Sequence, residues 1–106
     1  MKLNGNPISQ FAGMSAFAEK MLVHENAIVK IRNDMPLDRA ALIGCGVTTG
    51  LGAVLNTARI HAGSTCVVVG CGGVGLSAIQ GARIGGASRI IAVDTQPWKL
   101  ELAKSL

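Results

Sequence analysis

The pattern of apolar and polar positions changes character at Pro36. Before it, residues 15–23 and 27–31 read as two short strands, with Glu25-Asn26 between them as a turn. Residues 1–13 show no clear period, and Gly5-Asn6-Pro7 has the composition of a loop. Beyond Pro36 the period lengthens. Residues 37–43 predict a short helix, and residues 47–59 a second one whose Leu51, Val54, Leu55 and Ala58 share a face.

Residues 66–70 then form an apolar run closed by a glycine, of the kind buried on both faces of a parallel sheet. Residues 73–84 return to helical spacing through Val74, Ala78, Ile79 and Ala82, and Gly85-Gly86 signals the stop. Residues 89–94 predict the next buried strand, and residues 97–106 a helix with Pro97 in its first turn. Strand, helix, strand, helix predicts an α/β fold: a partial parallel sheet built as βαβα, with a right-handed crossover. The break near Pro36 predicts two parts, residues 1–36 and residues 37–106.

Composition narrows the function classes. The 106 residues are 49% apolar and 15% charged, which excludes a solvated disordered polymer and leaves no room for a two-domain enzyme with its own interdomain cleft. Ten Lys and Arg against six Asp and Glu give a net charge of +4, but the cations are scattered from Lys2 to Lys104. With only Phe11, Phe17 and Trp98 as aromatics, no nucleic-acid partner is expected. The apolar windows are broken by Gly and Thr, so no membrane partner is expected either. Three cysteines without a paired framework and an N-terminus without an apolar leader predict a cytoplasmic setting.

The chemistry begins at Gly70-Cys71-Gly72-Gly73-Val74-Gly75, a G-x-G-x-x-G set between a predicted strand and a predicted helix. Asp94 ends the next strand 19 residues beyond Gly75, near the spacing for ribose recognition. Gly70 permits the tight turn, Gly72 lets backbone approach a pyrophosphate, and Gly75 lets the helix pack on the strand. Val74 and Gly73 sit at the helix N-terminus, whose N–H groups and dipole favour phosphate. Asp94 would accept from ribose hydroxyls and repel a 2′-phosphate, which favours NAD over NADP. Lys99, one turn further, is either a cationic partner at the same ribose or an ordinary surface lysine. Leu76 stands where a Walker-type loop needs lysine, so that reading is excluded. A glycine-rich turn with no ligand is the plain alternative.

A second glycine segment, Gly44-Cys45-Gly46-Val47-Thr48-Thr49-Gly50, places Cys45 at the expected mouth of a helix. Cysteines in such places are exposed and reactive, although a buried inert cysteine is the commoner outcome. His24 and His61 are too few and unpatterned to complete a metal site with it. Cys66 reads as core, and Cys71 as a structural residue of the glycine loop.

With both segments in view, residues 15–106 resemble the middle of zinc-dependent alcohol dehydrogenases of the medium-chain dehydrogenase/reductase superfamily. The similarity runs to the class III-like and thiol-dependent formaldehyde dehydrogenase branch. Phe17-Ala18-Glu19, Gly44-Cys45-Gly46-Val47-Thr48-Thr49-Gly50, Gly63-Ser64-Thr65-Cys66, Gly72-Gly73-Val74-Gly75-Leu76-Ser77 and Ile90-Ile91-Ala92-Val93-Asp94 carry it. The resemblance implies that residues 1–36 end a GroES-like catalytic domain and residues 37–106 begin an NAD-binding Rossmann domain. It implies Cys45 as one ligand of the catalytic zinc and Thr49 as the catalytic-site residue packed on the nicotinamide. It also implies Gly70, Gly72, Gly73, Val74 and Gly75 at the pyrophosphate, with Asp94 and Lys99 at the ribose.

The activity so implied is NAD-linked oxidation of a small alcohol or a hydroxymethyl-thiol adduct of formaldehyde, in a homo-oligomer for full-length members. The family's other zinc ligands, its proton-relay hydroxyl and its four-cysteine zinc loop have no counterpart in this chain, nor has the second half of the sheet. The chain therefore reads as a fragment, expected to be inactive alone. Two alternatives stay open: a non-catalytic dinucleotide-binding remnant, and a zinc-free quinone or enoyl reductase relative.

Overall fold

The computed structural model describes residues 2–9 and 16–106. The chain divides into two compact units, Met1–Asp34 and Met35–Leu106.

In the first unit β1 (Lys2–Leu3) pairs antiparallel with β2 (Asn6–Pro7), in register Lys2 to Pro7 and Leu3 to Asn6. Asn4 at φ 50° and Gly5 at φ 83° turn the chain between them, the two positive angles that a tight hairpin turn requires. The loop expected at Gly5-Asn6-Pro7 is thus a hairpin. The strands expected at 15–23 and 27–31 do not form among the described residues, and Ser15 lies outside them. One 3-10 turn, Glu25–Ala27, occupies this stretch, with His24 Nδ1 accepting from the Asn26 amide at 3.2 Å. Phe17, Leu22 and Val29 are exposed. A strand pattern becomes a strand only where another strand completes its hydrogen bonds, and none does so here among the described residues.

The second unit opens with one helix where two were expected. α1 (Leu37–Leu42) runs through a π-helical stretch, Ile43–Val47, into α2 (Thr48–Gly52) and a second π-helical stretch, Ala53–Thr57. Gly44 and Gly46 weaken a helix without breaking it. The widened turns carry the backbone through them. Joined, Leu37–Thr57 is long and apolar enough to cross a membrane by length and composition, contrary to the window reading. One face of it is nonetheless packed against protein, because Gly50 is buried on α3 (Gly73–Ile84). A Cβ at Gly50 would lie 2.5 Å from Ser77 Cβ and 2.7 Å from the Ala78 nitrogen. Gly81 meets Leu51 Cα in the same way, at 3.2 Å.

β3 (Thr65–Val69) and β4 (Arg89–Val93) pair in parallel, Thr65 opposite Arg89 and Val69 opposite Val93. With α3 and α4 (Pro97–Lys104) they make the expected βαβα unit, an α/β, Rossmann-type arrangement. α4 stops two residues short of its expected end. Cys71, Ile79 and Ala103 are the buried centre, ringed by Val68, Leu76, Ile90, Ala92, Leu100 and Leu106. Val74 faces out, not in; Ser77 takes an inward place, its hydroxyl donating to the Gly73 carbonyl at 2.7 Å. Burial was expected on both sheet faces; among the described residues Val68, Ile90 and Ala92 pack on the core, whereas Val67 is 59% exposed and Val69 79%.

α3 ends on the glycines that predicted its end. The Gly86 amide donates to the Arg83 carbonyl at 3.1 Å and the Ala87 amide to the Ala82 carbonyl at 3.0 Å, with Gly86 at φ 79°. That is a Schellman cap, which satisfies carbonyls a helix end leaves open.

Candidate functional site

The C-terminal ends of β3 and β4 carry the site. Gly70 leaves β3 at φ 95°, a conformation open to glycine, and its amide extends the ladder by donating to the Val93 carbonyl at 2.7 Å. Gly72 follows at the N-cap of α3 with no side chain capping the helix. The Leu76 amide, bonded to the Gly72 carbonyl at 2.8 Å, is where the helical ladder starts. The amides of Gly73, Val74 and Gly75 precede it, at the positive end of a twelve-residue helix.

The three motif glycines do different work. A Cβ on Gly72 or on Gly73 would meet nothing within 4 Å, so the approach to those amides is open. A Cβ on Gly75 would lie 2.9 Å from the Gly70 carbonyl carbon and inside contact with its oxygen. Helix and loop can therefore touch only while position 75 lacks a side chain.

Asp94 stands beside this turn, its side chain 7% exposed. Oδ2 accepts from the Cys71 amide at 2.7 Å and Oδ1 from the Gln96 amide at 2.9 Å. Lys99 Nζ lies 3.7 Å from Oδ2 and 5.6 Å from the centre of the Trp98 ring. The Cys71 amide, then the Gln96 amide, and more weakly the Lys99 ammonium hold the carboxyl below its ordinary range against some desolvation. Asp94 is thus a charged acceptor with lone pairs to spare for a hydroxyl.

Cys45 is exposed, within the π-helical stretch and not at a helix mouth. The structure corrects the sequence reading there: the glycines flanking Cys45 lie inside a continuous helix. Thr48 Oγ1 donates to the Cys45 carbonyl at 3.1 Å, and Thr49, four residues beyond Cys45, is exposed on the same helix. Cys45 and Gly73 share an open, mainly apolar cleft of about 500 Å³ with Leu42, Leu76 and Gln80. Among the described residues no three His, Cys, Asp or Glu side chains converge. Zinc needs three or four ligands, so these residues alone do not fit it.

The fold thus brings Gly70 through Gly75, Asp94 and Lys99 to one end of the sheet, and sets Cys45 on a cleft that reaches Gly73. The Cys71 and Gln96 amides were missed by sequence reasoning, because a backbone donor has no residue signature. So was Gly50, whose packing role is visible only once α3 is placed.

No protein-family model matches the chain. Individual relatives do. It is 49% identical over 102 residues to alcohol dehydrogenase 3 of Hordeum vulgare, spanning 96% of this chain and 27% of that protein. Against alcohol dehydrogenase class-3 of Oryza sativa subsp. japonica the identity is 48% over 103 residues, with coverage of 97% and 27%. This chain is similar to alcohol dehydrogenases over nearly all of its own length. It spans about a quarter of the length of these proteins. The fold of an alcohol dehydrogenase zinc-binding domain protein from Burkholderia ambifaria superposes at a TM-score of 0.85 and 43% identity, covering 90% of this chain and 26% of that one. Benzyl alcohol dehydrogenase from Acinetobacter calcoaceticus gives 0.85 and 44%, with the same coverage.

Proposed function

We propose that this chain holds the adenine-dinucleotide site of an NAD-linked alcohol dehydrogenase, with a small alcohol or a hydroxymethyl-thiol adduct as the substrate of the whole enzyme. The observation that carries it is the uncapped start of α3, open at Gly72 and Gly73, beside the Asp94 carboxylate. The amides of Gly73, Val74 and Gly75 orient the pyrophosphate, and the helix dipole offsets its charge. Asp94 accepts from the ribose hydroxyls. Its negative charge opposes a 2′-phosphate, which selects NAD. Lys99 neutralises part of that charge at the rim.

When bound, the nicotinamide ring supplies the hydride acceptor. Thr49 is assigned to pack against that ring and Cys45 to contribute one zinc ligand, both on the strength of the family likeness. No step is routed through zinc here, since Cys45 lacks co-ligands among the described residues. Oxidation by this chain alone is accordingly not expected. A homo-oligomer and a cytoplasmic, reducing setting complete the reading; the three free cysteines support the latter.

Trp98 is the only tryptophan and stands four residues past Asp94, so its emission reports on the site. NADH should quench Trp98 and draw energy transfer from it, and NAD should compete while NADP competes poorly. No quenching, or equal competition by NADP, would sink the proposal.

A further inference from the structure

The first two loop residues behave unlike the rest of the glycine turn. Gly70 continues the parallel ladder, its amide on the Val93 carbonyl at 2.7 Å. The chain then leaves the strand, and the Cys71 amide, one residue on, donates to Asp94 Oδ2 at 2.7 Å, a charge-assisted bond to the residue that follows β4. The Cys71 side chain is 1% exposed within the buried cluster with Ile79 and Ala103, and Sγ lies 3.9 Å from the Val93 carbonyl oxygen. Cys71 is therefore held twice, by its sulfur in the core and by its amide on the carboxylate. Gly72, immediately after it, has open space on its Cα and no capping partner.

Asp94 is itself fixed from two sides. Oδ1 accepts from the Gln96 amide at 2.9 Å, which sets the side chain against the start of α4. Lys99 Nζ stands 3.7 Å from Oδ2. A carboxylate so held is a rigid acceptor whether or not a sugar is present. Without the carboxylate the Cys71 amide would lose a charge-assisted bond, stronger than one between neutral groups.

We infer that Asp94 is a positioning residue for the glycine loop: through the Cys71 amide it fastens the turn to the end of β4, and so shapes the phosphate cradle before any nucleotide arrives. This builds on the proposed dinucleotide site but assigns the carboxylate a second task, independent of the ribose. One side chain then serves both halves of the ligand. Its oxygen toward the loop aligns the Gly73 to Gly75 amides, and its remaining lone pairs meet the sugar.

The test is amide hydrogen exchange of the full chain without nucleotide, in the wild type, Asp94→Asn and Asp94→Ala. The Cys71 amide should exchange at least tenfold more slowly in the wild type than in Asp94→Ala. Asp94→Asn, which keeps an acceptor oxygen, should restore part of the protection. Amides in the middle of α3 should stay protected in all three. Equal Cys71 exchange in wild type and Asp94→Ala overturns the inference. If Asp94→Ala fails to fold, Asp94→Asn decides: Cys71 exchange faster than wild type over an unchanged α3 supports it, and identical exchange overturns it. Inorganic pyrophosphate has no ribose and gives a second readout. Its binding should weaken roughly tenfold in Asp94→Ala, whereas removal of a negative charge alone would tighten it, and tightening overturns the inference. Failure of the wild type to bind any nucleotide counts against the dinucleotide site and leaves the exchange result to decide the loop's anchor.

Discussion

Gly75 and Gly70 touch backbone to backbone: a Cβ on Gly75 would stand 2.9 Å from the Gly70 carbonyl carbon. Gly75→Ala should therefore push α3 away from the loop that precedes it. Overpacking of this kind costs about 1–3 kcal/mol, and each kcal/mol moves the midpoint of a small domain by roughly 4–8 °C. Thermal unfolding followed by circular dichroism should show that fall. An unchanged midpoint would mean that the loop yields freely.

Gly72→Ala should separate binding from folding. Its backbone, at φ −82° and ψ −172°, suits any residue, and an added methyl meets no atom within 4 Å. Stability should stay within about 0.5 kcal/mol of the wild type. NAD affinity should fall by roughly tenfold or more, about 1.4 kcal/mol, because the methyl would stand over the amides proposed to meet the pyrophosphate. Titration of both variants by Trp98 emission distinguishes the two glycines. Equal loss of stability in both would contradict the division of labour.

Gly50→Ala tests the seam between the long helix and α3. The new methyl would collide with Ser77 Cβ and the Ala78 backbone, neither of which is the far end of a flexible side chain. Destabilisation should match that of Gly75→Ala, about 1–3 kcal/mol, with near-UV signal and midpoint falling together.

Acid should loosen the loop. The Asp94 carboxyl is held below its ordinary range by the Cys71 and Gln96 amides, with Lys99 adding to them. A depressed carboxylate contributes stability that is present above its unfolded value of about 3.9 and lost as pH falls through the folded one. As pH falls below about 4 the wild-type midpoint should fall more steeply than that of Asp94→Asn. Some slope should persist in the variant, since the Arg32 bond at 2.9 Å lowers Asp34 in the same direction. Parallel curves would show that Asp94 carries no linked proton.

The open face of the sheet yields a control. Val67 and Val69 project there with most of their surface exposed, so Val69→Thr should shift stability by less than about 0.5 kcal/mol. The inward Val68→Ala, packed on the buried cluster, should cost about 1–3 kcal/mol in urea unfolding. Reversal of that order would mean that the exposed face is covered in solution.

Much of this was legible from residue order. The strand at β3, the glycine turn, α3 with its Gly85-Gly86 stop, β4 and the Pro97 start of α4 were each announced by local chemistry. Local backbone preference decides these, so no distant neighbour was needed. The readings that failed depended on partners. Residues 15–23 and 27–31 look like strands but find none to pair with among the described residues, whereas Asn4-Gly5 closes a hairpin that the apolar pattern does not mark. The break expected at Gly44 to Gly46 vanished into a continuous helix, because packing of Gly50 on α3 outweighs the weakness of glycine.

The sequence by itself determined the order of elements and the residue types at the glycine turn, since these follow from backbone freedom and charge along the chain. It placed Asp94 near that turn by spacing alone. Tertiary structure decided what each residue touches: that Gly75 is a contact and Gly72 an opening, and that Val67 and Val69 stand exposed on one sheet face. It also tied Asp94 to the Cys71 amide across 23 positions of chain. Such pairings arise only when β3 and β4 lie side by side, because a backbone donor is the same in every residue and acquires meaning from its neighbour in space.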